Sequence, residues 1–355
     1  MAPMRGSFGI GKASGTFESS TQIPMRKCNI AVVGATGLVG RKMLQVLEER
    51  RFPIGKLRLL ASARSAGKEL LVGGAPYTVE MPTPTSFAEI DVALFSAGAT
   101  VSKEFAPHAV RAGAVVIDNS SAFRMDDSVP LVVPEVNRAS LFCHHGIIAN
   151  PNCSTIQMVV ALKPLHDRWK VKRIVVATYQ SVTGAGQRGL SQLEEELSNV
   201  AVAEMKFAHP IAYNVLPHVD VFFDDGYTRE EHKMVNETKK IMGDNAIKVS
   251  ATCARVPVRG GHSEAVNVEF WNSFELAEVR ALLARASGVV LVDDPPSAKY
   301  PMPITAWDRD EVFVGRLRRD DTVANGLNMW IVSDNLRKGA ATNAVQIAEE
   351  WLKGQ

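Results

Sequence analysis

The sequence has few cysteines, no long apolar run and almost no net charge. Only four of its 355 residues are cysteines, and their number and spacing exclude a disulfide scaffold and a C-x-x-C metal motif. No window approaches about 18 uninterrupted apolar residues, which excludes a membrane-spanning helix and predicts a soluble chain. The 40 basic and 38 acidic residues give a net charge of +2, which argues against a chain-wide electrostatic grip on nucleic acid or on a membrane surface.

The first 26 residues differ from the rest of the chain. They are rich in Gly, Ser and Thr, and they show neither a hydrophobic period nor the apolar core of a secretory signal. We predict a disordered or extended leader here and a cytoplasmic protein. The alternative is an organelle transit peptide, and with it a plastid location, because the segment is basic and nearly free of acidic residues.

From Lys27 onward the pattern predicts two α/β domains. Short β-branched runs alternate with helical periods in the first part, which is typical of a doubly wound parallel sheet; the strands are predicted at 28–33, 57–61, 91–96 and 114–118. After about residue 155 the strands are longer and partly alternating, at 171–181, 247–258, 262–270, 312–317 and 327–334, with helices near 186–205, 228–242 and 274–287. This second pattern predicts a mixed or antiparallel sheet in an α+β domain. We place the domains at 27–154 and 155–335, with an apolar helical stripe in 336–355 returning to the first domain.

A glycine-rich loop follows the first predicted strand and opens a helix. Its sequence is GATGLVG, and its small residues let the backbone approach a pyrophosphate at the positive end of the helix. The spacing is G-x-x-G-x-x-G rather than G-x-G-x-x-G, and the alternative is a tight turn that only packs the helix closely. We predict a dinucleotide site and a Rossmann-type first domain.

The end of the second strand favours NADP over NAD. An NAD site usually has an acidic residue there, about 20 positions after the loop, to accept the ribose hydroxyls. Here the segment reads ASARS, without a carboxylate, and Arg64 with its neighbouring serines suits a 2′-phosphate. A solvated surface arginine is the alternative.

One cysteine stands apart from the other three. Cys153 follows a predicted strand and the turn NPN, where a helical apolar run begins, so unpaired N–H groups and the helix dipole favour its thiolate. Cys28, Cys143 and Cys253 lack this context and are predicted to be packing residues. Cys143 with the two histidines after it has no second cluster to complete a metal site, and no metal is predicted.

A nucleophilic thiol beside a nicotinamide cofactor indicates aldehyde or acyl chemistry through a thioester, which needs a proton shuttle. Among the eight histidines, His262 follows an Arg-Gly-Gly turn and begins a strand, so the turn can direct its side chain into a cleft.

With these residues in place, the sequence resembles the aspartate-semialdehyde dehydrogenases of bacteria, fungi and plants. The resemblance covers essentially the whole chain after the leader. It is carried by GATGLVG (34–40), SSAFR (120–124), PEVN (134–137), NPNCST (150–155), YQSVTGAG (179–186), EEHKM (230–234), RVPV (255–258), GHSE (261–264) and SDNLRKGAA (333–341). NPNCST and the RVPV…GH pair are specific, whereas the glycine loop alone is weak.

The resemblance implies reduction of L-aspartyl-4-phosphate by NADPH to L-aspartate 4-semialdehyde and phosphate, in the biosynthesis of lysine and diaminopimelate, threonine, methionine and isoleucine. It implies that Cys153 attacks the acyl phosphate, that His262 manages the proton on oxygen and sulfur, and that Gln180 orients the substrate or thioester. It further implies a homodimer or a dimer of dimers, with no nucleic-acid or membrane partner.

The resemblance also assigns the binding residues. Arg255 would grip the substrate carboxylate, Glu230 would meet the ammonium, and Lys233 with Arg124 and Asn152 would hold the phosphate. By spacing alone, Glu230 and Lys233 also fit an ordinary i,i+3 surface pair. The cofactor residues would be Gly34, Thr36, Gly37, Leu38, Val39, Arg64, Ser65, Thr183, Gly184 and Asn335, with Thr183 standing where many relatives have Ser.

Two competing functions are weighed against this one. A reductase of N-acetylglutamyl phosphate shares the cysteine chemistry but has no free ammonium to bind, and Glu230 together with Asn152 before the thiol favours the aspartyl substrate. A catalytically silent, nucleotide-binding paralogue is disfavoured because Cys153, Gln180, Arg255 and His262 are all present.

Overall fold

A computed structural model describes residues 26–355, so the predicted leader lies outside the described residues except for Arg26. The first sheet has seven strands in the order β3-β4-β2-β1-β5-β6-β7. They are β1 (Cys28–Val33), β2 (Ile54–Leu60), β3 (Glu69–Val72), β4 (Ala75–Glu80), β5 (Val92–Phe95), β6 (Val115–Asp118) and β7 (Ile147–Ala149).

Helices cover both faces of this sheet, because successive side chains of its central strand point to opposite sides. Ile30 and Val32 belong to the core shared with α1 (Leu38–Glu49), whereas Ala31 and Val33 belong to the core shared with α2 (Ala99–Arg111). All strand pairs in the sheet except β3–β4 are parallel. The prediction of a doubly wound sheet is therefore confirmed.

The hairpin β3–β4 was not predicted. It turns at Gly73 and Gly74, which both have positive φ angles of 57° and 79°. Many of its side chains face solvent at the sheet edge, so its apolar pattern is too weak to stand out in the sequence.

The second sheet has six strands in the order β11-β12-β13-β10-β8-β9. They are β8 (Val171–Gln180), β9 (Lys248–Arg255), β10 (His262–Phe270), β11 (Val289–Leu291), β12 (Val312–Asp320) and β13 (Gly326–Ser333). The pairs β8–β9 and β11–β12 are parallel and the others antiparallel, which confirms the predicted mixed sheet. Strand β9 ends three residues before the predicted end at 258, and the short β11 was not predicted.

Three helices pack against one face of this sheet and form the largest buried core. They are α4 (Cys153–Trp169), α6 (Arg229–Met242) and α7 (Leu276–Leu283). Three further helices are α3 (Pro134–Asn137), α5 (Gln187–Leu197) and α8 (Pro303–Ala306). Helix α5 ends well before the predicted 205. No helix within residues 26–355 has the length and apolar character needed to cross a membrane.

The C-terminal segment returns to the first domain. After β13 the chain makes a π-helical turn (Arg337–Ala341) and continues into α9 (Thr342–Lys353). Ala344, Val345 and Trp351 pack into the core that β1 shares with α1. The last helix therefore completes the apolar core of the domain in which the chain began.

Two buried basic side chains fasten the π-helical turn. Lys338 is 1% exposed, and its Nζ donates to Glu135 Oε2 at 2.6 Å, with Asn343 and Gln346 as its other acceptors. Arg337 donates to three carboxylates, those of Glu49, Asp308 and Asp310. The turn is thus tied to α1, to α3 and to the loop before β12.

Candidate active site

A cleft of about 560 Å³ forms where the two domains meet the C-terminal segment. The three residues predicted to be catalytic, Cys153, Gln180 and His262, all line it. The predicted substrate and nicotinamide residues line it as well: Arg124, Asn152, Glu230, Lys233, Arg255, Thr183, Gly184 and Asn335. Val39, which was predicted to contact the pyrophosphate, also lines it. The remaining predicted cofactor residues lie outside this cleft, at the turns after β1 and β2: Gly34, Thr36, Gly37, Leu38, Arg64 and Ser65.

The glycine loop after β1 fits a dinucleotide. Gly34 has φ +88°, and a Cβ there would lie 2.9 Å from the carbonyl carbon of Ser96. A Cβ at Gly40 would lie 2.1 Å from the Gly34 oxygen, so α1 can start this close to the strand only because both positions are glycine. Gly37 caps α1 without a side-chain hydrogen bond, which leaves the first N–H groups of the helix available to a phosphate.

The turn after β2 lies beside that loop. Thr36 Oγ1 donates to Ser65 Oγ at 3.1 Å, which joins the glycine loop to this turn. Arg64 beside it is exposed. Arg64 and Ser65 therefore lie next to the glycine loop, and the Arg64 guanidinium is accessible to a bound anion.

Asn152 fixes the start of helix α4, which carries Cys153. Its Oδ1 accepts from the N–H groups of Ser154 at 3.0 Å and Thr155 at 3.1 Å, which caps α4 and makes Cys153 its first residue. The predicted position of the thiol at a helix start agrees with this geometry.

The charge state of the thiol differs from the sequence prediction. Burial and then the Glu230 carboxylate raise the pKa of Cys153 to about 12, although Arg255, Arg124 and the Ser154 N–H act to lower it. The net direction is opposite to the one predicted from the helix start, because desolvation and a nearby negative charge outweigh the helix end. In the free protein Cys153 is a neutral thiol.

Glu230 is a buried carboxylate held by amides and a lysine. Its Oε1 accepts from Asn152 Nδ2 at 2.8 Å and Gln180 Nε2 at 3.0 Å, and its Oε2 accepts from Lys233 Nζ at 3.1 Å. Burial acts to raise the pKa of Glu230, but Lys233 and the amide hydrogen bonds lower it to about 2. The pair predicted from i,i+3 spacing therefore exists, but it faces the cleft rather than the surface. Gln180 also donates to Ser154 Oγ at 2.6 Å.

His262 begins β10 and is fully buried. Its Nδ1 accepts from the Ser181 backbone N–H at 3.1 Å, and its Nε2 has no hydrogen-bond partner within the described residues. Burial and then the positive charge of Arg255 lower the pKa of His262 to about 3. The ring is therefore neutral, with one nitrogen engaged and the other free.

Arg255 ends β9 and is 5% exposed. Its Nη1 donates to the Ser181 carbonyl at 2.7 Å, while its Nε lacks a partner among the described residues. A Cβ at Gly184 would lie 2.7 Å from Arg255 Nη1 and 3.2 Å from two atoms of the His262 ring. Glycine at 184 is what allows the arginine and the histidine to pack side by side.

The two basic residues predicted to bind the substrate phosphate are already paired with carboxylates. Arg124 Nη1 donates to Glu237 Oε1 at 3.1 Å, and Lys233 also reaches Asp220 at 2.9 Å. Glu237 Oε2 accepts from the Asn152 backbone N–H at 2.6 Å, so this carboxylate links the arginine to the turn before the thiol. The sequence analysis missed Glu237, although its position seven residues after Glu230 places it on the same face of α6.

Ser181 was also missed as an individual residue, although it lies in the YQSVTGAG motif. Its hydroxyl donates to Asn335 Oδ1 at 2.9 Å, and that oxygen also accepts from the Gly261 N–H at 3.1 Å. Thr183 Oγ1 lies 3.3 Å from the same oxygen. These hydrogen bonds hold the ends of β8 and β13 close to the start of β10 beside the cleft.

The π-helical turn completes the wall behind the thiol. A Cβ at Gly339 would lie 2.9 Å from the Cβ of Cys153, closer than real side chains approach.

No group of three or more His, Cys, Asp or Glu that could hold a metal ion occurs within residues 26–355.

A doubly wound domain with a glycine loop at a helix start, joined to a cleft that holds a helix-start thiol and a neutral histidine, is the arrangement of an oxidoreductase of the nicotinamide class. Comparison with family models agrees. Residues 29–143 match the NAD binding domain of semialdehyde dehydrogenase, and residues 162–338 match its dimerisation domain.

Individual relatives show to which family within this class of oxidoreductases the chain belongs. The chain is 56% identical to an aspartate-semialdehyde dehydrogenase of Aquifex aeolicus, covering 91% of this chain and 98% of that one. It is 50% identical to the Bacillus subtilis protein of the same description, covering 92% and 98%. The chain belongs to the aspartate-semialdehyde dehydrogenase family, whose members are NAD(P)-dependent oxidoreductases, and the predicted function and cofactor class are confirmed at this level.

Solved structures show the same fold. The Vibrio cholerae aspartate semialdehyde dehydrogenase II, complexed with ASA, superposes with a TM-score of 0.89 at 46% identity, covering 92% of this chain and 99% of that one. The Candida albicans enzyme, solved with NADP, gives a TM-score of 0.72 at 27% identity, covering 92% and 98%.

Proposed function

We propose that this chain reduces L-aspartyl-4-phosphate to L-aspartate 4-semialdehyde and phosphate through a thioester on Cys153, with NADPH as the reductant. The observation that carries the proposal is the composition of one cleft. The cleft is lined by a thiol at a helix start, by a neutral histidine whose Nε2 has no partner among the described residues, by a buried carboxylate and by a buried arginine next to the histidine.

The chemistry divides between the thiol and the histidine. The Cys153 sulfur attacks the carbonyl carbon, the carbon–oxygen bond to phosphate breaks, and the thiol proton leaves with the phosphate. When bound, the cofactor supplies a hydride to the thioester carbon. His262 Nε2–H donates a hydrogen bond to the substrate oxygen as negative charge develops there. The carbon–sulfur bond then breaks to release the aldehyde and a thiolate, and a proton from solvent restores the Cys153 thiol, because the original thiol proton has left with the phosphate.

The substrate carries both signs of charge, and the cleft offers groups for each. The Arg255 Nε has no hydrogen-bond partner among the described residues, and the guanidinium suits the α-carboxylate, which it can meet with two parallel hydrogen bonds. Glu230 is ionised and suits the α-ammonium. Lys233, Arg124 and Asn152 lie together on the phosphate side, where a phosphate dianion would compete with Glu237 and Asp220 for the two cations.

Glu230 also controls the reactivity of the thiol in the free protein. Glu230→Gln keeps an amide oxygen for Asn152 and Gln180 but removes the negative charge that raises the pKa of Cys153. We expect Cys153 to react faster with iodoacetamide at neutral pH, on the order of 3- to 10-fold, because a tenfold gain in thiolate per pKa unit is partly offset by weaker nucleophilicity. Peptide mass spectrometry of the free protein measures this rate.

Asp220→Asn is the matched control for that variant. It removes the same charge and the other carboxylate partner of Lys233, and asparagine tolerates the positive φ of 71° at this position. An unchanged rate in Asp220→Asn beside a faster rate in Glu230→Gln is expected. Equal rates in Glu230→Gln and the unaltered protein would contradict the proposed effect of Glu230.

Arg64 is proposed to bind the 2′-phosphate. Arg64→Glu replaces an attractive charge with a repulsive one beside Ser65, so we expect the KM for NADPH to rise by about 10- to 100-fold, the range of a lost charge-assisted hydrogen bond. The KM for NADH, which lacks the phosphate, should change far less. Lys68→Glu makes the same charge change on an exposed residue at the end of the same loop and serves as control. Unchanged NADPH affinity in Arg64→Glu would refute the assignment.

The experiment that tests the overall function is an assay of the purified protein with two acyl phosphates and two cofactors. Loss of reduced-nicotinamide absorbance with aspartyl phosphate and NADPH is the expected result. Turnover of N-acetylglutamyl phosphate alone would overturn the proposal, and turnover of neither would indicate a protein that binds nucleotide without catalysis.

We further propose a homodimer, or a dimer of such dimers, in the cytoplasm, acting in the biosynthesis of lysine and diaminopimelate, threonine, methionine and isoleucine. The match to a dimerisation domain and the bacterial sources of the relatives support these points. Sedimentation equilibrium of the full chain tests the oligomeric state, with a single 38.6 kDa species as the contrary outcome.

A further inference from the structure

Two groups of Ser181, its backbone N–H and its hydroxyl oxygen, lie close to the Nδ1 atom of the His262 ring. The Ser181 backbone N–H donates to Nδ1 at 3.1 Å, and the Ser181 Oγ lies 3.2 Å from the same nitrogen. Both residues are fully or almost fully buried, so water does not compete for these contacts.

The backbone contact decides which nitrogen of the neutral ring carries the proton. A backbone N–H is a donor only, so the nitrogen it meets must be an acceptor. A proton on Nδ1 would point at the Ser181 N–H, and this arrangement is repulsive. The proton therefore resides on Nε2, the nitrogen without a partner, and the ring offers the cleft a donor.

The hydroxyl contact has a separate consequence. Gly261 donates its N–H to Asn335 Oδ1, which identifies that atom as an acceptor and directs the Ser181 hydroxyl proton to it at 2.9 Å. Through this one oxygen Ser181 is joined both to the residue before His262 and to the segment after β13. Because its proton is directed to Asn335, the hydroxyl does not donate to Nδ1. The side chain thus acts on the position of the ring through Asn335 and Gly261, whereas the backbone N–H fixes the tautomer.

Three charged or titratable groups lie around the ring. Arg255, on β9, opposes protonation of His262, and Glu230, on α6, favours it. Cys153, on α4, lines the same cleft. Burial and the arginine prevail, and the neutral donor form that the Ser181 geometry requires is the one that these surroundings stabilise.

We propose that Ser181 is a positioning residue that holds His262 as its Nε2–H tautomer, so that the free protein presents a hydrogen-bond donor rather than a base beside the thiol. This inference rests on the proposed function for its use in catalysis, since a preformed donor stabilises the oxyanion of the reacting carbonyl. It follows that His262 does not withdraw the proton from Cys153 in the free protein.

Nitrogen NMR of the full chain with ¹⁵N-labelled histidine tests the tautomer without any substrate. The His262 signals are identified by their loss in His262→Asn. We expect the long-range ¹H–¹⁵N pattern of a neutral ring protonated at Nε2. A ring protonated at Nδ1, or at both nitrogens at neutral pH, would overturn the proposal whether or not aspartyl phosphate is the substrate.

Kinetics of two variants test the role of the hydroxyl. Ser181→Ala retains the backbone N–H, so the tautomer should persist, while kcat falls by about 10- to 100-fold because the ring is less well placed. The KM for the acyl phosphate should stay within about threefold, and Ser181→Thr, which keeps a hydroxyl, should recover most of kcat. An unchanged kcat in Ser181→Ala, or equal loss in Ser181→Thr, would refute positioning by the hydroxyl. A changed tautomer in Ser181→Ala would refute its assignment to the backbone.

Discussion

Cys153→Ala is expected to reduce turnover of aspartyl phosphate by at least about 10⁴-fold, because the thioester has no other nucleophile on which to form. The residue begins α4, and alanine is a good helix former, so the fold and the Asn152 cap should be retained. Initial rates of NADPH oxidation give the effect. Mass spectrometry of the unaltered protein with aspartyl phosphate and without cofactor should show an acyl adduct, and this adduct should be absent from Cys153→Ala.

Cys143→Ala is the matched control, since it removes an exposed thiol outside the cleft. Its turnover should stay within about twofold of the unaltered protein, as for surface substitutions in general. Full turnover by Cys153→Ala would show that the covalent route is wrong. Equal losses in the two variants would point to a general effect of thiol removal.

Lys338→Met is expected to lower the free energy of unfolding by about 3–5 kcal/mol, the usual cost of leaving one partner of a buried ion pair without the other. Methionine nearly preserves the volume, but it leaves Glu135 charged and without its cation. Burial acts to lower the pKa of Lys338, and the Glu135 carboxylate acts to raise it. Urea denaturation followed by circular dichroism measures the loss.

Two comparisons isolate the ion pair. Glu135→Gln in the Lys338→Met background removes the uncompensated charge and should recover part of the loss. Lys353→Met breaks the pair with Glu350, in which the lysine side chain is 51% exposed, and should cost less than about 1 kcal/mol. A loss in Lys338→Met no larger than that in Lys353→Met would contradict a stabilising role for the buried pair.

Much of this site could be predicted because its residues occupy special places in the local pattern. Cys153 begins a helix, Gln180 ends a strand, and His262 begins one. Such ends can be recognised in the sequence because the spacing of apolar residues changes next to turn residues. Local prediction was enough to name Cys153 and His262, whereas Gln180 was named through the family resemblance. The ends of several strands and the start of one helix gather at the same edge, which brings the three residues together.

What could not be predicted depends on contacts between distant segments. The ionisation of Cys153 is set by Glu230, which follows it by 77 positions and reaches it only through the packing of α4 against α6. Glu237 and Ser181 act through hydrogen bonds that no local period reports. The edge hairpin β3–β4 and the π-helical turn were missed for a similar reason, since ion pairs and neighbouring strands, not apolar periodicity, hold them in place.

The return of the C-terminal segment has a consequence for the synthesis of the chain. Helix α9 supplies part of the core around β1, and Gly339 closes the wall behind Cys153, yet both follow the whole second sheet in the chain. A nascent chain therefore exposes apolar surface of its first domain until residues 337–353 have been synthesised. Polypeptides truncated before the π-helical turn should be inactive and prone to aggregate, because both this core and the wall of the cleft would be incomplete.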